Sequence, residues 1–243
     1  MAFHVDSEAG RLRRVILHRP DLELKRLTPS NKDELLFDDV LWVRRARAEH
    51  DGFADVLRER GVVVHLFGDL LRETLQVPEA RDFVLDRVFT EGEYGPLAAG
   101  HLREVFAGMP ADELAVHLVG GMTKREFLDR ATEPNSVRFH VMDLDDFLLA
   151  PLPNHLFTRD TSAWIYDGVS INAMRWPARQ RETVHFEAIY RYHPLFADGG
   201  FHVWSQGQGA YPATIEGGDV LVIGNGAVLI GMSERTTPQA VEM

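Results

Sequence analysis

Cysteine is absent from the 243 residues, which excludes a disulfide framework, a thiolate-based zinc site and a thiolate nucleophile drawn from this chain. No run of about 18 apolar residues occurs, so no membrane-spanning helix is expected. The first residues, Met1 to Glu8, lack the basic flank and apolar core of a secretory leader, and the expected compartment is the cytoplasm. Lysine is scarce: only Lys25, Lys32 and Lys124 occur among the 26 basic residues. Against these stand 37 acidic residues, and the net charge of -11 argues against non-specific nucleic-acid binding. Familiar motifs are missing too, with no Gly-x-Ser-x-Gly, no P-loop and no His-Glu-x-x-His. Gly207-Gln208-Gly209 and Gly224-Asn225-Gly226 lack the third glycine of a dinucleotide loop and read as turns. The 11 histidines show no metal-ligand spacing, so no metal is expected. His4-Val5-Asp6 reads as a frayed terminus rather than a base with its orienting carboxylate.

What is present suits a globular α/β protein: 45% of the residues are apolar and 26% charged, enough buried surface to offset the entropy of ordering. Residues 1–68 read as strand, loop, helix and strand. Arg14 to His18 forms the first strand, Val40 to Arg60 a helix with Phe53, Val56 and Leu57 as its apolar stripe and Gly61 as its stop, and Val62 to Phe67 the second strand. Residues 69–147 carry helical spacing at Leu70–Leu75, Ala80–Phe89, Gly95–Phe106, Ala111–Leu118 and Lys124–Ala131, with Thr123 and Glu126 placed as a capping box. No strand is expected inside this block, which reads as an inserted helical bundle.

Strand texture returns over residues 148–243. Ala163–Tyr166 and Val169–Ile171 flank Asp167-Gly168, and Val220–Ile223 and Ala227–Ile230 flank Gly224-Asn225-Gly226, so two hairpins are expected. A helix is expected over Glu182–Tyr192, and a further strand at Phe201–Trp204. An acidic residue, Asp160 or Asp219, precedes each hairpin. The arrangement reads as a loosely repeated ββα unit and points to a propeller-like closure.

Two stretches stand out chemically. In Pro151 to Ser162 a proline-stiffened loop delivers Asn154, Phe157 and Asp160 ahead of a hairpin. In Ile215-Glu216-Gly217-Gly218-Asp219 two glycines are expected to let the backbone turn tightly, so that Glu216 and Asp219 emerge at the mouth of a strand. Two readings stand at this point: carboxylates that furnish a site, or carboxylates that merely hold turns. Arg179 and Arg235 add guanidiniums, and carboxylates converging with arginines would suit a zwitterion with a cationic end. The bland alternative is a set of exposed ion pairs, worth about 0 to 1 kcal/mol each.

Leu35-Leu36-Phe37-Asp38-Asp39-Val40-Leu41-Trp42, Leu156-Phe157-Thr158-Arg159-Asp160, Ile215 to Asp219 and Met232-Ser233-Glu234-Arg235-Thr236 resemble, in order and spacing, the motifs of arginine deiminases. The resemblance runs from about Gly10 to the last residue and includes a helical insertion between the first two motifs. It implies the five-bladed α/β propeller of the guanidine-modifying (pentein) superfamily, here incomplete. It implies hydrolysis of L-arginine to L-citrulline and ammonia without metal or organic cofactor. By the same resemblance Asp160 and Glu216 would bind the guanidinium, Asp160 also managing protons. Arg179 and Arg235 would hold the α-carboxylate, Asn154 and Phe157 would line the pocket, and Asp219 matches a family position of less defined role.

The family's nucleophilic cysteine and its His-x-Asp stretch have no counterpart in these residues. The chain is therefore expected to be the N-terminal part of a deiminase, inactive alone and poorly soluble, with homo-oligomerisation of the complete protein left open. Two other expectations compete: a non-catalytic arginine-binding remnant, and an amidinotransferase or an enzyme acting on agmatine or methylated arginine. Arg179 and Arg235 disfavour agmatine, which has no carboxylate. All of these require Asp160 and Glu216 to meet in one cavity.

Overall fold

The structure is a computed structural model that describes residues 3–243; Met1 and Ala2, the start of the segment read for a leader, lie outside them. Among the described residues nine strands follow in chain order: β1 (Arg14–Leu17), β2 (Val63–Leu66), β3 (Met122–Thr123), β4 (Phe147–Leu149), β5 (Ser162–Ile165), β6 (Gly168–Ile171), β7 (His202–Gln206), β8 (Val220–Gly224) and β9 (Ala227–Ile230). They form four small sheets, β1-β2, β3-β4, β5-β6-β7 and β8-β9, and among the described residues no sheet closes on itself. The fold is mixed α/β. No helix among the described residues is long and apolar enough to cross a membrane.

β1 and β2 pair in parallel, and the Val43–Glu59 helix connects them. Gly61 takes φ 77 behind that helix, the left-handed conformation in which glycine carries no Cβ penalty. The expected apolar stripe is not buried: Phe53 and Val56 face solvent, and the fully enclosed positions are Val43 and Ala54. The His4–Asp6 segment is tied down rather than frayed. Val5 exchanges two backbone hydrogen bonds with Tyr166, and Asp167 receives a hydrogen bond from His4 Nδ1 at 2.5 Å.

Helices at Phe67–Thr74, Pro78–Val88, Ala99–Ala107, Ala111–Gly120, Lys124–Leu128 and Val137–Val141 occupy most of the stretch that reads as helical. The capping box at Thr123 and Glu126 is present, with each side chain bonded to the other's backbone nitrogen. One expectation fails here: Met122–Thr123 is a strand, paired antiparallel with β4. Two residues are too few for an alternation to show in the sequence. These helices do not hold a core of their own. Phe67, Leu102, Phe106, Leu118 and Phe127 belong to one apolar cluster with Val169 and Ile171 of β6 and with Phe186 and Ile189.

In the second half, β6 and β7 are parallel and joined across the Pro177–Tyr192 helix, which starts five residues before the expected Glu182 because Pro177 occupies its first turn. The first hairpin turns on Tyr166-Asp167 instead of Asp167-Gly168, with Tyr166 at φ 49 and Ile165 opposite Gly168. Gly168 is needed for clearance: a Cβ there would meet Trp204 Nε1 at 2.5 Å and the His202 carbonyl at 2.7 Å. The second hairpin turns on Asn225-Gly226, both at positive φ (53 and 79), as a type I′ turn requires.

β8 alternates strictly. Val220 and Val222 are buried, while Leu221 and Ile223 face solvent together with Leu229, which sits opposite Leu221. An apolar face on a two-stranded edge invites self-association. Leu229→Lys is expected to lower the concentration-dependent light scattering of the chain relative to wild type while leaving its circular dichroism unchanged.

A buried histidine pair lies beneath the second half. His155 and His185 stack at 5.2 Å between ring centroids and share a hydrogen bond of 2.9 Å between Nε2 and Nδ1. The bond requires the accepting ring to be neutral, because an imidazolium has no acceptor nitrogen, so the two rings cannot both be charged. Burial, with cationic neighbours adding to it, drives His155 well below the ordinary 6.5 and His185 down to about 3. The unfolded chain therefore binds more protons than the folded one between pH 6.5 and about 3, and this pair's contribution, complete above 6.5, is lost as pH falls through that window. His185→Gln is expected to flatten the acid side of a plot of melting temperature against pH; an unchanged slope would contradict the neutral pair.

Candidate active site

Two short elements present the carboxylates. The Thr158–Thr161 helical turn carries Asp160 immediately before β5, and the Gly217–Asp219 turn follows Glu216 immediately before β8. They pack directly on each other. A Cβ at Gly217 would stand 2.0 Å from the Arg159 carbonyl oxygen, and one at Gly218 would stand 3.0 Å from Asp160 Oδ1. The glycine pair thus serves close approach, not the tight turning expected from sequence: neither residue lies in the left-handed region.

Arg159 locks the packing from outside. Its Nε donates to the Gly217 carbonyl at 3.0 Å and its Nη2 to the Val220 carbonyl at 2.7 Å, while the guanidinium forks onto Glu8 at 2.7 and 3.1 Å. Glu8 in turn accepts from the Val222 amide, and the Arg159 hydrogen bond holds its carboxyl below the usual range against the effect of partial burial.

At the centre sits Arg179, in the first turns of the Pro177–Tyr192 helix and almost wholly buried. Its Nη1 donates to Asp160 Oδ2 at 2.9 Å and lies 3.9 Å from Glu216 Oε2. Its Nη2 donates to Glu182 Oε2 at 2.9 Å and to the Asn154 carbonyl at 3.3 Å, and Nε also faces Glu182. Burial works against the charge on Arg179, but Glu182 and Asp160 outweigh it and raise its pKa above the ordinary value. Most of the Arg179 N–H groups are therefore taken by this chain's own acceptors, and the remaining one, on Nη1, faces Glu216 at 3.9 Å.

Burial also pushes the Glu182 carboxyl up to about 7 and raises Glu216, each opposed by Arg179. Arg235 reaches Glu216 Oε2 with Nη1 at 3.3 Å and stays substantially exposed. The cluster of Asp160, Glu182 and Glu216 with Arg179 and Arg235 holds three carboxylates and two guanidiniums. Glu216 Oε1 is buried with no hydrogen-bond partner.

Asp160, Glu216, Arg179 and Arg235 thus meet. The other three residues singled out from sequence stand differently. Asn154 is buried and spends its side-chain amide on the Leu35 carbonyl at 2.7 Å, tying the Leu35–Phe37 segment to the Pro153–Leu156 turn. Phe157 is half exposed, its ring 6.3 Å from that of Phe37. Asp219 accepts from Ser233 Oγ at 2.9 Å and Thr236 Oγ1 at 2.6 Å, so its carboxylate shapes the turn that carries Arg235 instead of facing the cluster. Thr236 Oγ1 then accepts from the Glu216 amide. Sequence reasoning missed Glu182 and Arg159. Spacing of three residues from Arg179 on one helix was the available signal for Glu182, and adjacency to Asp160 the signal for Arg159. Among the described residues no group of three or more His, Asp or Glu side chains is arranged to hold a metal.

An α/β scaffold that buries converging carboxylates and guanidiniums defines a class of protein suited to a small charged ligand. The family model described as "ADI: Arginine deiminase" matches residues 33–243. The chain belongs to the arginine deiminase family, whose activity is hydrolysis at the C–N bond of an amidine. The match covers every residue of the cluster.

Gly217→Ala is expected to force the Thr158–Thr161 turn away from Glu216. Overpacking of this kind costs about 1–3 kcal/mol, read as a lowered melting temperature, whereas Gly226→Ala strains only a solvent-exposed turn.

Proposed function

We propose that these residues form the arginine-binding part of an arginine deiminase, with Asp160 and Glu216 receiving the guanidinium of L-arginine. One observation carries this reading: a cluster of three carboxyl groups around the enclosed Arg179 contains a buried carboxylate oxygen, Glu216 Oε1, without a donor. A buried acceptor is stable when it is met by a donor, and a cationic ligand with several N–H groups would meet Glu216 Oε1 and hold the raised carboxyl in its ionised form. A guanidinium brings both.

In this reading Glu216 Oε1 and Asp160 accept from the substrate's terminal nitrogens and fix its central carbon for attack. Asp160, less buried than Glu216, is the group that exchanges protons with the departing ammonia. Arg235, substantially exposed and held only by the 3.3 Å contact to Glu216 and a 3.7 Å ion pair with the exposed Glu234, is the available partner for the α-carboxylate. For Arg179 to join it, Nη1 must release Asp160 while Glu182 keeps hold of the rest of the guanidinium. The covalent step implied by the family resemblance requires a cysteine thiolate. The thiolate adds to the guanidinium carbon, ammonia leaves with a proton, and water then displaces the thiolate to give the ureido product. None of the 243 residues is a cysteine. The nucleophile of the complete enzyme is therefore not among these residues. We further infer that residues 1–68 and 148–243 belong to an incomplete α/β propeller, with 69–147 inserted. Support comes from the repeated order of acidic turn, hairpin and helix at Asp160 with β5-β6 and at Glu216–Asp219 with β8-β9.

The purified chain is expected to bind L-arginine in isothermal titration calorimetry and to release no citrulline. Glu216→Gln removes one charge-assisted contact and should weaken binding about tenfold or more. Agmatine should bind more weakly than L-arginine. Absence of heat on titration, or equal affinity for the Gln variant, would overturn the assignment.

A further inference from the structure

A second charged locus shares no residue with the carboxylate–arginine cluster. A cleft of about 300 Å³ opens between the Leu22–Lys25 turn of helix and the start of the Val43–Glu59 helix, lined by Arg19, Lys25, Arg44, Arg47 and Asp51 among others. On a chain with net charge -11, four cationic side chains around one small cavity are the reverse of the overall balance.

Their counter-ions do not suffice. Arg19 forks onto Asp51, with Nε and Nη2 each at 2.6 Å. Asp21 is shared: Lys25 Nζ reaches it at 3.0 Å, and both Nη atoms of Arg47 lie 3.3 Å away. Arg44 meets no carboxylate among the described residues. Ordinary surface ion pairs match charges one for one; here two carboxylates serve four cations. The placement adds to the imbalance. The Val43–Glu59 helix has no acidic residue in its first turn and no side-chain cap, so Arg44 and Arg47 stand near the positive end of its dipole. Cations there are unfavourable unless an anion joins them.

We propose that this cleft binds a phosphate group, with Arg44 and Arg47 as its principal donors and Lys25 and Arg19 completing the cationic wall. Guanidiniums donate in a planar fork that fits the oxygens of a phosphate. Arg47 reaches Asp21 only at the long end of hydrogen-bond distance and can turn part of its fork to the ligand. The volume exceeds that of a bare oxyanion, so the same wall accommodates either free phosphate or the phosphate of a small metabolite.

The test is calorimetric titration of the 243-residue chain with inorganic phosphate at constant ionic strength, with adenosine monophosphate as a parallel arm. Saturable binding is expected, weakened about tenfold by Arg44→Ala and unchanged by Arg125→Ala, which removes a surface arginine elsewhere. Tighter binding of the nucleotide identifies a phosphorylated metabolite as the source; equal or weaker binding identifies free phosphate. Should Arg44→Ala fail to fold, the wild-type backbone amides of Val43 and Arg44 remain a direct readout, expected to shift in NMR spectra as phosphate is added. Heats indistinguishable from dilution, unmoved amides, or equal affinity in the two alanine variants would overturn the proposal. L-Arginine titrations of the same Arg44→Ala chain, expected to match wild type, separate this site from the substrate site.

Discussion

A guanidinium enclosed by protein must be met by carboxylates, and Arg179 satisfies that constraint with partners drawn from separate segments of the chain. Asp160 comes from the turn before β5, Glu182 from the next turn of its own helix, Glu216 from the stretch before β8, and Asn154 lends a carbonyl. Removing one partner of such a buried set leaves an uncompensated charge, at a cost of about 3–5 kcal/mol. A single side chain therefore couples its own helix to three further segments, adding to the Arg159 and Asn154 contacts that already tie those segments across the fold. The geometry of the candidate site and the assembly of the second half of the molecule are consequently one problem.

The ionisable groups inside the molecule pull in opposite directions. His155 and His185 are enclosed as neutral rings and favour the folded state toward neutral pH, whereas Glu182 and Glu216, raised by enclosure, favour it toward acid. Asn154 and His155 are neighbours in one short turn, with Asn154 reaching Arg179 and His155 reaching His185 three residues beyond Glu182. Charged and neutral buried groups are thus stacked along one face of the same helix. The protonation state of one layer sets the electrostatic surroundings of the other.

Much of this was legible in the chain. Asn225-Gly226 between apolar runs announced the second hairpin, Thr123 and Glu126 their capping box, and the segments around Asp160 and Glu216 their chemical interest. Other features depend on contacts between distant residues. Tyr166 adopts a left-handed turn, and Gly168 beyond it gives clearance to Trp204 on the neighbouring strand, which no local pattern encodes. Gly217 and Gly218 look like turn residues and act instead as clearance for a helix 58 residues earlier, as the Arg159–Gly217 contact shows. Glu182 looked like any acidic residue on a helix because its enclosure is a property of the packed molecule. Asp219 shows the converse: a residue at a motif position whose carboxylate holds a turn.

The apolar cluster running from Phe67 to Phe196 bears on how such a chain can change over time. Phe67 of the helical stretch packs on His155 and Phe186, so the surface it presents was shaped jointly with the 177–192 segment. A recombination event importing a foreign version of residues 67–141 would carry half of a fitted pair. Exchange between relatives is thereby restricted to blocks that bring the facing helix along, and substitutions at Phe67 and Phe186 are bound to drift together.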